Sequence, residues 1–171
     1  MSDHAQGAAA IVFDDVSAGY NLNQTLLVQA RFGVARGDWV YVIGAPASGK
    51  SLLHHLILRK LSPSSGRIFV FGKVNASGMA QETVAQVAQY PVFWEDKSLY
   101  ANLAAPMIFG SYDDAYSHGA CMELLQWLGL ADMAERPMAQ LSTSERQITA
   151  IARALVALPK LLLLDEPFQF L

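Results

Sequence analysis

Apolar residues fall into short runs separated by turn signals, and the runs differ in period. Ile11 to Val16 reads as a strand. Val28, Ala30, Phe32 and Val34 take every second position, which predicts a half-buried strand. Arg36-Gly37-Asp38 is a turn signal. Beyond it, Trp39 to Ile43 is an apolar run bounded by glycine-containing turns, and this predicts a buried strand. The period then changes. Leu52, Leu53, Leu56, Leu58 and Leu61 predict a helix over Ser51 to Leu61. Pro63-Ser64-Ser65-Gly66 predicts a turn, and Ile68 to Phe71 a further strand. Val84 to Val92 reads as a strand running into a loop at Pro91. Ser98 to Leu130 is mainly helical in pattern, with interruptions at Pro106 and Gly110. Thr143 to Leu155 predicts a helix and Leu161 to Leu164 a buried strand. Buried strands alternating with helices imply an α/β architecture with a mainly parallel sheet.

Composition narrows this picture. The 171 residues suit one domain, and 53% of them are hydrophobic, enough for a sizeable core. The net charge of −3 argues against a dedicated nucleic-acid binder, which would carry a basic surface. Cys121 is the one cysteine, so no disulfide framework or cysteine-based zinc cluster is expected. His4, His54, His55 and His118 show no metal-ligand spacing. Met107, Met122, Met133 and Met138 are expected to pack rather than to bind. The N-terminus has no basic and apolar signal-peptide pattern, and no apolar stretch reaches the roughly 18 residues of a membrane span. The expectation is a cytoplasmic chain that reaches a membrane only through a partner.

Gly44-Ala45-Pro46-Ala47-Ser48-Gly49-Lys50-Ser51 fits the pattern G-x-x-x-x-G-K-[ST] in full. A polyphosphate is densely anionic. A loop of backbone N–H groups leading into a helix N-terminus offers it fixed donors and the positive end of a dipole. Glycines let the backbone approach closely. Lys50 is expected to reach the β- and γ-phosphates, and Ser51 to place its hydroxyl on Mg²⁺. A chance match in a chain of this length is on the order of one in a hundred.

Leu161-Leu162-Leu163-Leu164-Asp165-Glu166-Pro167 is an apolar strand ending in two carboxylates. Behind a phosphate loop, an aspartate there assists the Mg²⁺, and the adjacent glutamate can polarise an attacking water.

Together with three other segments, these motifs resemble the ABC (ATP-binding cassette) ATPase family, over about Ile11 to Leu171. Val16-Ser17-Ala18-Gly19-Tyr20 is similar to the family's adenine-stacking loop, with Tyr20 as the aromatic, and stacking tolerates any base. Gly44 to Ser51 corresponds to Walker A, and Gln89 to the Q-loop glutamine. Leu141-Ser142-Thr143-Ser144-Glu145 falls where the family has its LSGGQ-type signature, and Ile151-Ala152-Arg153-Ala154-Leu155 resembles the signature helix. Leu161 to Pro167 corresponds to Walker B. Ser98 to Pro106 and Leu125 to Leu130 are similar to the FtsE/LolD-like branch.

The resemblance implies a P-loop NTPase with an N-terminal antiparallel β part and a helical subdomain over about residues 98–155, all in one nucleotide-binding domain spanning 1–171. It implies ATP and Mg²⁺ as ligands. Catalytic roles fall to Lys50, Gln89 and Glu166, and metal ligation to Ser51, Gln89 and Asp165. Nucleotide contacts fall to Tyr20, Gly44, Ala45, Pro46, Ala47, Ser48, Gly49, Lys50, Ser51 and Ser142. The implied partners are a second nucleotide-binding domain and an integral membrane permease, with no nucleic acid.

Three departures qualify the enzyme reading. Ala47 stands where the family usually has glycine, so the loop must avoid positive φ there or carry strain. Thr143 and Ser144 replace the usual glycine pair, and their side chains either block a γ-phosphate or add hydroxyl donors to it. The chain is expected to be incomplete at its C-terminus, since the family's D-loop aspartate, switch histidine and one internal strand fall beyond Leu171. A non-catalytic ATP-binding module therefore stands as the alternative, and a soluble P-loop ATPase without a transporter as a third reading.

Overall fold

The computed structural model describes residues 9–21, 24–75, 84–108 and 112–167. Gly110, residues 1–8 and residues 168–171 lie outside the described residues. The chain divides into two compact units, Met1–Met79 and Ala80–Leu171.

In the first unit, β1 (Ala9–Ala18), β2 (Leu27–Ala35), β3 (Ser65–Val70) and β4 (Lys73–Val74) form an antiparallel sheet in the order β2-β1-β3-β4. This is the antiparallel β part expected from the sequence. β1 is central and buries Ile11, Val12, Phe13 and Val16. β2 lies at the edge, and Phe32 stacks on Phe13 with ring centroids 4.5 Å apart. Helix α1 (Lys50–Ile57) buries Leu52, Leu56 and Ile57. It stops four residues short of the expected end. Arg59 takes φ 57, the Arg59 N–H donates to Leu56 O at 3.2 Å, and the Lys60 N–H donates to His55 O at 2.8 Å. This left-handed cap satisfies the last carbonyls and ends the helix despite Leu58 and Leu61.

One expectation is overturned in this unit. Residues 39–43 form no strand and are exposed, Trp39 at 82% and Ile43 at 94%. A buried parallel strand needs hydrogen-bonded neighbours. The ladders described in this unit join β1 to β4 and include none for this run, so its apolar sequence alone does not make it a strand.

In the second unit, β5 (Val84–Val87) pairs in parallel with β6 (Leu161–Leu164), Val84 opposite Leu161 and Val87 opposite Leu164. The strand ends earlier than the sequence suggests, and the loop begins at residue 88. Three helices pack with this pair: α2 (Leu99–Ile108), α3 (Asp114–Trp127) and α4 (Thr143–Leu155). Their core holds Val87, Phe93, Leu99, Leu103, Met107, Cys121, Leu125 and Met138. Met122 and Met133 pack against it, so all four methionines serve as packing residues. Pro106 does not interrupt α2, which runs on to Ile108. The proline sits in the last turn, where the lost N–H removes one bond from an end about to stop. Asp113 caps the start of α3, accepting from the Tyr116 N–H at 3.3 Å. Gly129, at φ 71, ends it by the same left-handed device as Arg59.

Candidate functional site

The predicted site residues lie in both units. The first unit holds Tyr20 and the loop 44–51. The loop is exposed, and the Lys50 ammonium folds back over it, donating to Gly44 O at 2.9 Å and Ala45 O at 2.8 Å. The Ser48 N–H donates to Ala45 O at 3.2 Å and closes the turn. Gly49 precedes α1 at φ 90, a conformation that glycine adopts without penalty. A Cβ on Gly44 would lie 2.7 Å from Ser48 Oγ, so a side chain there would have to displace the Ser48 hydroxyl. Ala47 takes φ 60, which settles the choice posed by the sequence: the loop carries the strain.

The start of α1 has no side-chain cap and no acidic residue in its first turn. The positive dipole end at this helix start is therefore not offset by a local carboxylate, which favours an anion there. Backbone donors at a helix start and the Lys50 ammonium are together a chemistry that can hold a polyphosphate. Tyr20 is 49% exposed, and its ring meets the His55 ring of α1 edge-on, with centroids 5.8 Å apart.

The second unit brings Gln89, Ser142, Asp165 and Glu166 onto its own elements. The Asp165 N–H donates to Val87 O at 3.0 Å, extending the β5–β6 ladder by one step. Glu166 then turns at φ 46, and its Oε2 accepts from Gln89 Nε2 at 2.9 Å. The glutamine and the strand-end glutamate, 77 residues apart in sequence, thus form one hydrogen-bonded pair. No group of three or more His, Cys, Asp or Glu able to hold a metal occurs among the described residues.

Ser142 caps α4. Its N–H and its hydroxyl each donate to Glu145 Oε2 at 2.7 Å, and the Glu145 N–H donates back to Ser142 Oγ at 3.3 Å. This reciprocal box satisfies orphan donors at the helix start. The Ser142 donors hold the Glu145 carboxyl below the usual carboxylate range. The serine hydroxyl is therefore engaged by an ionised neighbour.

Contacts from α4 to two loops escaped the sequence reading. Arg146 forms a bidentate pair with Glu95, at 2.7 and 2.5 Å, and the arginine holds that carboxyl below its ordinary value. Arg153 donates to Val92 O at 2.9 Å, and both guanidinium groups lie against the Phe93 ring. Burial pushes the Arg153 guanidinium down from its ordinary value, though arginine stays charged. Gln147, 1% exposed, donates from Nε2 to Pro167 O at 2.9 Å. The Ser-x-x-Glu spacing was a readable signal for the box. The other contacts join distant segments and leave no local signal.

A phosphate-type loop opening a helix, together with the α/β scaffold, defines a P-loop nucleotide-binding protein. The chain belongs to the ABC transporter family, whose model matches residues 27–169. It is 34% identical over 168 residues to the methionine import ATP-binding protein MetN of Rhizobium meliloti (strain 1021), covering 92% of this chain and 47% of that protein. It is 35% identical over 150 residues to the lipoprotein-releasing system ATP-binding protein LolD of Bordetella pertussis, covering 83% of this chain and 64% of that protein. The chain thus spans about half of one curated relative and under two thirds of the other. A solved ATP-binding subunit of an ABC transporter superposes with a TM-score of 0.84 at 27% identity, over 94% of this chain and 67% of that one. A bacterial Atm1-family ABC exporter with ATP bound gives 0.80 at 27%, over 94% and 29%.

Proposed function

We propose that this chain binds Mg-ATP and hydrolyses it as the nucleotide-binding part of a transporter, driving a partner membrane permease. The observation that carries this reading is the complete loop 44–51, folded at an uncapped helix start with Lys50 over it. Gly44, Ala45, Pro46, Ala47, Ser48 and Gly49 supply backbone to the phosphates, and Lys50 supplies charge. Tyr20 offers its ring to the base. Ser51, Gln89 and Asp165 are the residues that would hold Mg²⁺, which neutralises phosphate charge when bound. Glu166 accepts a proton from the attacking water, and Gln89 orients the two. Ser142 reaches the nucleotide of a second copy in an ATP-bound dimer.

Residues 1–171 act as one nucleotide-binding domain, with residues 98–155 as the helical subdomain, whose segment from about Ser98 to Gln140 docks on the permease. No helix among the described residues is long and apolar enough to cross a membrane. The chain would sit on the cytoplasmic face, held by the permease. The LolD likeness supports the branch suggested by the stretches around Asn102 and Trp127.

One observation favours the alternative, a non-catalytic ATP-binding module. The Ser142 hydroxyl is already bound by the Glu145 carboxylate, and Thr143 and Ser144 add side chains beside it. Phosphate release by wild type beside Glu166→Gln separates the two readings, because a non-catalytic module binds ATP and releases no phosphate in either protein. An amide keeps the shape but does not take up the water's proton at useful cost. The variant should retain ATP and lose at least about a hundredfold in phosphate release. Wild-type phosphate release in Glu166→Gln removes Glu166 from the role of base.

A further inference from the structure

Gln147 is a buried polar side chain that the proposed chemistry does not use. It lies in the second turn of α4, and its amide reaches across to the carbonyl of Pro167. Pro167 follows Glu166, whose φ of 46 lies in the left-handed region that a glutamate disfavours. Such a conformation persists only where neighbouring contacts fix it. Proline has no N–H of its own to tie the turn down. Bonds on both sides hold this one. The Asp165 N–H grips Val87 O before the turn, Gln147 Nε2 grips Pro167 O after it, and Gln89 Nε2 holds the carboxylate itself. The same helix also anchors the segment that follows Gln89, through Arg153 on Val92 O and Arg146 on Glu95.

We propose that Gln147 is a positioning residue, which sets the direction of the Glu166 carboxylate by holding the Pro167 carbonyl. This inference rests on the reading of Glu166 as the base. Gln147 acts through the turn, by its amide on the Pro167 carbonyl. Without its donor, the turn relaxes toward negative φ and swings the carboxylate away from its place. Ground-state binding of ATP by the loop 44–51 does not depend on that turn. The loss therefore falls on the hydrolytic step.

The test uses the full protein. Single-turnover hydrolysis and affinity for a fluorescent ATP analogue are measured for wild type, Gln147→Met, Gln147→Glu, Glu166→Gln and the Gln147→Met/Glu166→Gln double variant. Gln147→Met keeps the length and removes the donor. Its hydrolysis should fall about ten- to a hundredfold, the scale of a displacement near 1 Å, with affinity within about twofold of wild type. The double variant should be no slower than Glu166→Gln alone, because nothing is left to position. In Gln147→Glu the new carboxyl donates while protonated. The ratio of its rate to wild type should therefore drop as pH rises and the carboxyl ionises. This arm carries the test if Gln147→Met does not fold.

An unchanged rate in Gln147→Met beside an inactive Glu166→Gln overturns the inference and leaves the base in place. Equal losses of affinity and rate in Gln147→Met, or a pH-independent ratio in Gln147→Glu, also overturn it, since both are marks of general loosening. A wild-type rate in Glu166→Gln defeats the reading of the base, and the inference with it.

Discussion

Single residues carry the parts of the site that were readable in advance. The loop 44–51 is a local motif, so its residue types state its chemistry without any fold. Even its weak point was visible, because an alanine in a glycine position must either avoid or endure positive φ. Ala47 endures it at φ 60. A left-handed alanine costs about 1–2 kcal/mol, and a glycine there would give back about 0.4–1 kcal/mol through a more flexible unfolded chain. Ala47→Gly should therefore stabilise the protein by about 0.5–1 kcal/mol, read as a higher urea midpoint at unchanged slope. A lower midpoint would mean that the methyl group makes contacts worth more than the strain. Gln147 was not readable. Its partner lies 20 residues away, on a turn whose shape depends on the fold.

At the level of elements, the sequence located helices and strands better than their ends. Helix α1 was expected to continue while leucines recurred, but its end is decided by backbone bonds from Arg59 and Lys60 rather than by side-chain period. Residues 39–43 failed for the opposite reason. A strand is defined by its neighbours, and no apolar run supplies those by itself. Between α4 and the loop before α2, the Arg146–Glu95 pair makes a prediction about acid. The arginine lowers the folded-state pKa of Glu95, so the pair adds stability above the ordinary carboxylate value, about 4.3, and loses it as pH falls through the folded value. Urea midpoints followed from pH 7 towards pH 3 should fall more steeply in wild type than in Arg146→Met. Parallel curves for the two would show that the pair contributes nothing to acid sensitivity.

On the scale of the whole molecule, the antiparallel sheet with α1 and the parallel pair with three helices form the two units, and the expected site residues are divided between them. The motif order along the chain, from Tyr20 to Glu166, pointed to the ABC family before any contact was known. The match over residues 27–169 and the likeness to MetN and LolD agree with it. The central claim is that the loop 44–51 holds ATP. Its most direct test is a calorimetric titration of Mg-ATP into wild type and Lys50→Ala, side by side. Lys50 would supply charge-assisted hydrogen bonds to phosphate, each worth about 1.5–3 kcal/mol, so affinity should fall by about tenfold to a hundredfold or more in the variant. Equal affinity in the two proteins would contradict the account.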